Sequence, residues 1–159
     1  VSVFRSSQKQ IADLSEVIQL GLKTMVKTIG NVPFNLIVYF FPRDTTPGCT
    51  KEACAFRDLM GEFSELGFRV VGISPDNSSS HQKFISAQAL NFLLLSDPEK
   101  TVMAKYGAFG EKVMYGKKTM GVIRSTVWIG PDGKVLKHWR RVAKAADHPA
   151  KVLEFVRGQ

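Results

Sequence analysis

Leu36 to Phe41 reads Leu-Ile-Val-Tyr-Phe-Phe, an unbroken apolar run closed by Pro42. A strand sends alternate side chains to opposite faces, so a run without a polar position needs apolar cover on both sides. It suits a central strand of a sheet with helices above and below. The next segment agrees. From Thr50 onward apolar residues fall at Ala53, Phe56, Met60 and Phe63, the three-four spacing of one helical face, and Gly67 supplies a stop. A buried strand therefore feeds a loop and then a helix.

The alternation continues along the chain. FRVVGIS (68–74) reads as a strand and SSHQKFISAQAL (79–90) as a helix, with Ser78 to Ser80 as its expected cap. FLLLSD (92–97) reads as a strand and PEKTVMAKYG (98–107) as a short helix opened by its proline. This βαβ rhythm implies parallel strands covered by helices. STVWIG and KVLKHWRRV flank Pro131-Asp132-Gly133, a turn signal that predicts an antiparallel hairpin, and HPAKVLEFVRG closes the chain as an amphipathic helix. The plan is that of a thioredoxin-like α/β domain, a central mixed sheet flanked by helices, with an extra strand-helix insertion. One domain over 1–159 is expected, with residues 1–30 unassigned. IADLSEVIQLGL (11–22) has the spacing of a helix and also reads as two strand fragments broken at Gly21.

A chain of 159 residues and 17.7 kDa buries a core without disulfide staples. No apolar run is long enough to span a bilayer, and VSVFRSSQKQ lacks the apolar stretch of a secretory signal. A cytoplasmic setting is expected, or an organelle if a leader has been removed. The formal charge of +8 permits weak attraction to acidic partners. The basic residues are scattered except for Lys134, Lys137, Arg140, Arg141 and Lys144, where a solvated face is expected and nucleic-acid binding is not.

The only two cysteines, Cys49 and Cys54, lie in PRDTTPGCTKEAC. C-x4-C is too small a set for a disulfide framework and has no further ligand nearby for zinc, so redox chemistry or plain burial remains. No metal or cofactor is expected. Cys49 follows Pro47-Gly48 where loop becomes helix, near the unpaired N–H groups and positive end of the first turn, a place that favours thiolate. Cys54 follows at i+5. Ideal helix geometry separates the two Cα atoms by about 8.5 Å on different faces, beyond the roughly 7 Å that a disulfide tolerates. Pairing would require the first turns to unwind; alternatively Cys54 packs beside Ala53 against the sheet.

Pro42, Thr46 and Cys49 match P-x-x-x-T-x-x-C, and YFFPRDTTPGCTKEACAFRD closely resembles the peroxiredoxins, in particular their bacterioferritin comigratory protein (peroxiredoxin Q) subgroup. MYGKKTMGVIRSTVWIGPDGKV (114–135) is similar to the subgroup's stretch around its active-site arginine, which places that role on Arg124. VVGISPDNSSSHQKF and LLLSDPE extend the resemblance over roughly residues 36–158. The resemblance implies a thiol-dependent peroxidase acting on hydrogen peroxide and organic hydroperoxides. It makes Cys49 the peroxidatic residue and Cys54 the resolving one, with an intramolecular disulfide recycled by thioredoxin. Arg124 would hold the peroxide and favour the thiolate, and the Thr46 hydroxyl would accept and donate at the oxygen in transit. Pro47 would shield the sulfenic acid, and backbone N–H groups around Cys49, that of Gly48 included, would complete the pocket. A monomer is expected. The G-x-x-A-P-D-F-like opening of the family is missing from the first third.

Two other classes frame that reading. A thioredoxin-type thiol–disulfide oxidoreductase would use C-x-x-C and a proline where this chain has Gly121-Val122-Ile123-Arg124. A basic nucleic-acid-binding or chaperone-like protein would carry its cysteines incidentally. His81, His138 and His148 have no partners at metal or triad spacing and are expected in surface or cap roles, while Trp128 and Trp139 are expected to pack on the sheet.

Overall fold

The computed structural model describes residues 11–13, 35–131 and 134–159. In chain order the elements are β1 (Ile11–Asp13), β2 (Asn35–Phe40), α1 (Pro47–Glu65), β3 (Phe68–Ser74), α2 (Ser78–Gln88), β4 (Leu93–Ser96) and α3 (Thr101–Lys105). They continue with β5 (Phe109–Met114), β6 (Lys117–Val122), β7 (Ser125–Ile129), β8 (Val135–Trp139) and α4 (His148–Arg157). The main sheet runs β1-β4-β3-β2-β7-β8. Strands β1 to β4 are mutually parallel where they pair, and β7 and β8 are antiparallel to their neighbours. This is the mixed, helix-covered sheet the sequence predicts, with β2 near its middle.

The apolar run of β2 divides between two cores as its alternation requires. Leu36, Val38 and Phe40 join Val71, Ile73, Leu93, Leu95 and the α3 residues Val102 and Met103 on one face. Ile37, Tyr39 and Phe41 face the other way, onto Phe56, Met60 and Phe63 of α1, Phe84 and Ile85 of α2, and Val152, Leu153 and Val156 of α4. Each face buries large side chains completely, and a buried residue of this kind contributes about 1.5–3 kcal/mol. Trp128 lies in the second core, and Trp139 packs edge-on against Phe155 and His148.

Several expectations change at the level of ends and short elements. α1 begins at Pro47, before Thr50, so Cys49 already lies in its first turn. Gly67 does end the helix region, at φ +80, with its N–H on the Ser64 carbonyl. The cap of α2 is Asn77, whose side chain accepts from the Ser80 N–H; the serines form the first turn instead. Pro98 does not open α3. It sits in a turn fastened by Asp97, whose carboxylate accepts from the N–H groups of Thr101 and Met103. Ile11–Asp13 is a strand on β4; the rest of the ambiguous N-terminal stretch, Gly21 included, lies outside the described residues, as do Asp132 and Gly133.

The β5–β6 hairpin is an element that the sequence reading does not find. Its turn is Tyr115-Gly116, both at positive φ, as a two-residue hairpin turn of type I′ demands. Val113, Met114, Tyr115 and Met120 are exposed, and of β6 only Val122 is buried, so no core-facing alternation marks it.

Gly72 lets the central strands close over Tyr39. A Cβ at this position would stand 2.7 Å from Leu94 Cδ2 and 2.9 Å from the Tyr39 ring. Gly72→Val is therefore expected to destabilise the protein by at least about 1–3 kcal/mol through overpacking. Urea unfolding measures the loss, and an unchanged midpoint would contradict this packing.

Candidate active site

The parallel pairing of β2 with β3 and its antiparallel pairing with β7 bring two distant segments to one end of the sheet. Phe40 pairs with Ser125, so the loop leaving β2 passes beside the residue preceding β7. That loop carries Pro42 and Thr46 into α1 and Cys49, and the residue before β7 is Arg124. The backbone of the arginine is held by the Val142 N–H on its carbonyl, and its neighbour Ile123 donates to Ala108.

Arg124 Nη2 donates to Cys49 Sγ at 3.2 Å, and Nη1 donates to Glu52 Oε1 at 2.6 Å. Cys49 is 1% exposed and Glu52 0%, while the Arg124 side chain keeps 17%. The sulfur thus lies at the edge of the aromatic core but faces a guanidinium, and the cation, not hydrocarbon, defines its polar side. Gly48 lies flat against the same group: a Cβ there would be 3.5 Å from Arg124 Nη2. Pro47 occupies the first helical position, where its missing N–H is not needed. No side chain caps α1. The Thr46 hydroxyl instead donates to the Arg43 carbonyl at 3.0 Å, which leaves its oxygen free to accept.

Pro42 and Arg124, with Lys112, Val122, Ile123, Arg141 and Val142, line a cavity of about 270 Å³. Its walls are apolar and cationic. Arg124 therefore connects the buried sulfur to an opening at the surface. Of the clustered basic residues, Arg140, Arg141 and Lys144 are exposed as expected, while Lys137 lies over the rings of Trp139 and Phe155.

Glu52 and Tyr39 belong to this site and are missed by the sequence reading. The available signal for Glu52 is its i+3 spacing from Cys49, which puts both on one face of a helix. Burial pushes the Glu52 carboxyl up to about 7, against the opposing pull of Arg124. Its Oε2 and the Tyr39 hydroxyl are buried without a hydrogen-bond partner. Burial, with Glu52, Cys49 and Asp44 nearby, pushes the Tyr39 hydroxyl well up, so it remains a neutral phenol.

Two histidines depart from the expected surface and cap roles. His81 is fully buried, with Nδ1 2.7 Å from Asp44 Oδ2 and Nε2 3.1 Å from the Leu95 carbonyl. Asp44 also accepts from Ser80 Oγ, and its own N–H donates to Asp76, so this group ties the loop between Pro42 and Thr46 to α2 and the sheet. His81, Asp44 and Asp76 offer ligand atoms within 4.8 Å of one another, yet they are engaged with each other and explain themselves as a loop anchor. His148 is buried at the start of α4, its Nε2 2.7 Å from Thr126 Oγ1. Burial, helped by Arg124 and Lys151, pushes its imidazole down to about 4. The sequence spacing hides both because their partners come from other elements. His138 is half-buried on β8.

Cys54 lies away from this site, half-buried five positions further along α1, with its Sγ donating to Gln88 Oε1 at 3.4 Å. Both cysteines are reduced within one continuous helix.

Residues 30–138 match the AhpC/TSA family. A relative in Mycobacterium tuberculosis (strain H37Rv) is 52% identical over 117 residues, 74% of each chain. Peroxiredoxin Bcp of Bacillus subtilis is 42% identical over 122 residues, 77% of each chain. The solved structure of the Xanthomonas campestris bacterioferritin comigratory protein superposes with a TM-score of 0.75 at 37% identity, covering 80% of each chain. The chain belongs to the AhpC/TSA family of peroxiredoxins, in its bacterioferritin comigratory protein subgroup. It is a thiol-dependent peroxidase on a thioredoxin-like fold, as the sequence implies.

Glu52 makes stability depend on pH. A carboxyl at about 7 when folded and near 4.5 when unfolded binds more protons folded over that interval. Its contribution to stability is present below about 4.5 and is lost as pH rises through 7. Glu52→Gln keeps an acceptor for Arg124 without this titration. Relative to the parent, the variant is expected to gain on the order of 1–3 kcal/mol between pH 5 and pH 8. Urea unfolding at the two pH values tests this, and a stability difference that does not change with pH would contradict it.

Proposed function

We propose that Cys49 is the peroxidatic residue, on one carrying observation: its sulfur lies 3.2 Å from the guanidinium of Arg124 at the edge of an open cavity. The Cys49 thiolate attacks the terminal oxygen of the hydroperoxide. An S–O bond forms, the O–O bond breaks, and the leaving oxygen takes a proton to depart as water or an alcohol. Negative charge moves from sulfur to that oxygen, so a fixed cation beside both lowers the barrier without reorganising. Arg124 is that cation, and its fork holds one arm on Glu52 and one toward the reacting sulfur. Glu52 and the hairpin-to-β7 backbone keep the fork in place. The unspent acceptor of Thr46 and the N–H groups of the uncapped first turn, at Gly48 and Cys49, receive the peroxide; Pro42 and Pro47 wall it.

The resulting sulfenic acid is resolved by Cys54. The Cys54 sulfur attacks Cys49, the S–S bond forms, the S–O bond breaks and water leaves. An external dithiol, thioredoxin in this reading, then returns two electrons. The substrate class includes organic hydroperoxides: the Xanthomonas campestris protein has alkyl peroxide reduction activity, and the cavity beside Arg124 offers the apolar side chains of Pro42, Val122, Ile123 and Val142 to an organic group. The recycling suits a reducing compartment, and no helix among the described residues is long and apolar enough to cross a membrane.

Intact mass after one equivalent of peroxide tests the assignment. The parent should lose two hydrogens, and Cys54→Ser should gain one oxygen. Cys49→Ser should consume no peroxide, and turnover in that variant would end the proposal.

Arg124→Gln removes the fixed cation while leaving a polar side chain. It is expected to lower kcat/KM for hydrogen peroxide by about 10²- to 10³-fold, the usual effect of losing one preorganised donor. Steady-state assay with excess dithiol measures it, and a loss under tenfold would place the main stabilisation elsewhere.

A further inference from the structure

The second step needs Cys54 to leave its place in α1, and the structure shows what holds it there. The Cys54 thiol donates to Gln88 Oε1 at 3.4 Å. Gln88 is the last residue of α2, followed by Ala89 in the left-handed region at φ 50. One turn further along α1, Arg57 Nη1 donates to the Gln88 carbonyl at 2.6 Å, and Asn91 Nδ2 donates to the Arg57 carbonyl at 3.2 Å. The end of α2 and the residues just after it thus touch α1 in two places: at the Cys54 sulfur through the Gln88 side chain, and at Arg57 through its side chain on the Gln88 carbonyl and the Asn91 amide on its own carbonyl.

These contacts differ in what they must do during resolution. Cys49 is fixed at one end by Arg124 and the core. The backbone of Arg57 is fixed at the other. The turns from Cys49 to Cys54, with the buried Glu52 and Ala53 among them, have to unwind to bring the two cysteines from the Cα spacing of about 8.5 Å in an intact helix to disulfide distance. The Arg57 contacts can survive that change. The Cys54–Gln88 contact cannot, because the thiol proton it holds must be lost and the sulfur must turn toward Cys49.

We infer that Gln88 is a positioning residue for the resolving step, an acceptor that keeps Cys54 parked as a thiol and so sets how long the sulfenic acid survives. The inference rests on Cys54 being the resolving residue. Parking slows formation of the S–S bond and lengthens exposure of the Cys49 sulfenic acid to a second hydroperoxide, whose oxygen transfer yields sulfinic acid. The side chain that holds Cys54 therefore tunes sensitivity to excess peroxide.

The test separates the two rates by rapid mixing with hydrogen peroxide, quenching with a thiol-alkylating reagent and intact mass. Gln88→Ala removes the acceptor at a helix end where alanine is well tolerated. The ratio of disulfide formation to sulfenic acid formation is expected to rise about two- to ten-fold, the equivalent of one hydrogen bond, with less sulfinic acid at high peroxide. Gln88→Glu keeps an acceptor and should return the ratio to the parental value or below it. A purely structural role would disturb both steps together and would not be rescued by glutamate. A parental ratio in Gln88→Ala, or a lower one, overturns the inference. Cys54→Ser run in parallel identifies the other failure: if the parent also stops at one added oxygen with no disulfide, the resolving role of Cys54 is wrong and the inference falls with it.

Discussion

One guanidinium shared by a buried carboxylate and a buried sulfur organises the site. Arg124 lies 72 residues from Glu52 and 75 from Cys49 in sequence, and the sheet is what makes them neighbours. Because β2 lies between β3 and β7, the loop that leaves its end must pass the start of β7. The Asp44–His81 group then pins that loop from the other side, onto α2 and β4. Topology brings the partners together, and a buried polar network fixes the approach.

One cation cannot fully serve two acidic neighbours. At 3.2 Å and an effective dielectric constant near 20, a charged sulfur and the guanidinium attract by about 5 kcal/mol, and the carboxylate at 2.6 Å competes for the same charge. Burial decides the balance. Glu52 is without solvent contact and one of its oxygens has no partner, so holding a negative charge is costly and its carboxyl rises to about 7. Near neutrality the arginine is then only partly neutralised by its carboxylate, and much of its field remains for the sulfur. Had Glu52 been exposed and fully ionised, the same geometry would orient the arginine but weaken its action on Cys49.

The parts legible in sequence were those governed by local periodicity. The apolar run of β2, the three-four spacing of α1 and the turn between β7 and β8 each carry their own pattern, so the layered sheet could be read residue by residue. That Cys49 and Arg124 meet was legible only through the resemblance to the peroxiredoxins, since no spacing rule joins residues so far apart. His81 and His148 were misread because burial is a property of the assembled layers: their partners, Asp44 and Thr126, sit in other elements. The β5–β6 hairpin escaped because it packs little; a strand with both faces near solvent has no alternation to betray it.

Placing the two cysteines in one helix also has a cost that the rest of the fold explains. In the proposed cycle α1 unwinds each time, so it cannot rely on strong packing along its first turns, yet Cys49 as the attacking residue needs a rigid seat. The structure divides these demands by position. Around Cys49 the contacts are buried and charged, to Arg124 and through Glu52, while Cys54 is half-buried and held by one neutral side chain. Beyond it, Phe56, Met60 and Phe63 anchor the remaining turns in the aromatic core. Opening between these ends frees Cys54 at the loss of one neutral contact, but it also displaces the fully buried Glu52 and Ala53, so the hold of Glu52 on Arg124 is part of what limits that opening.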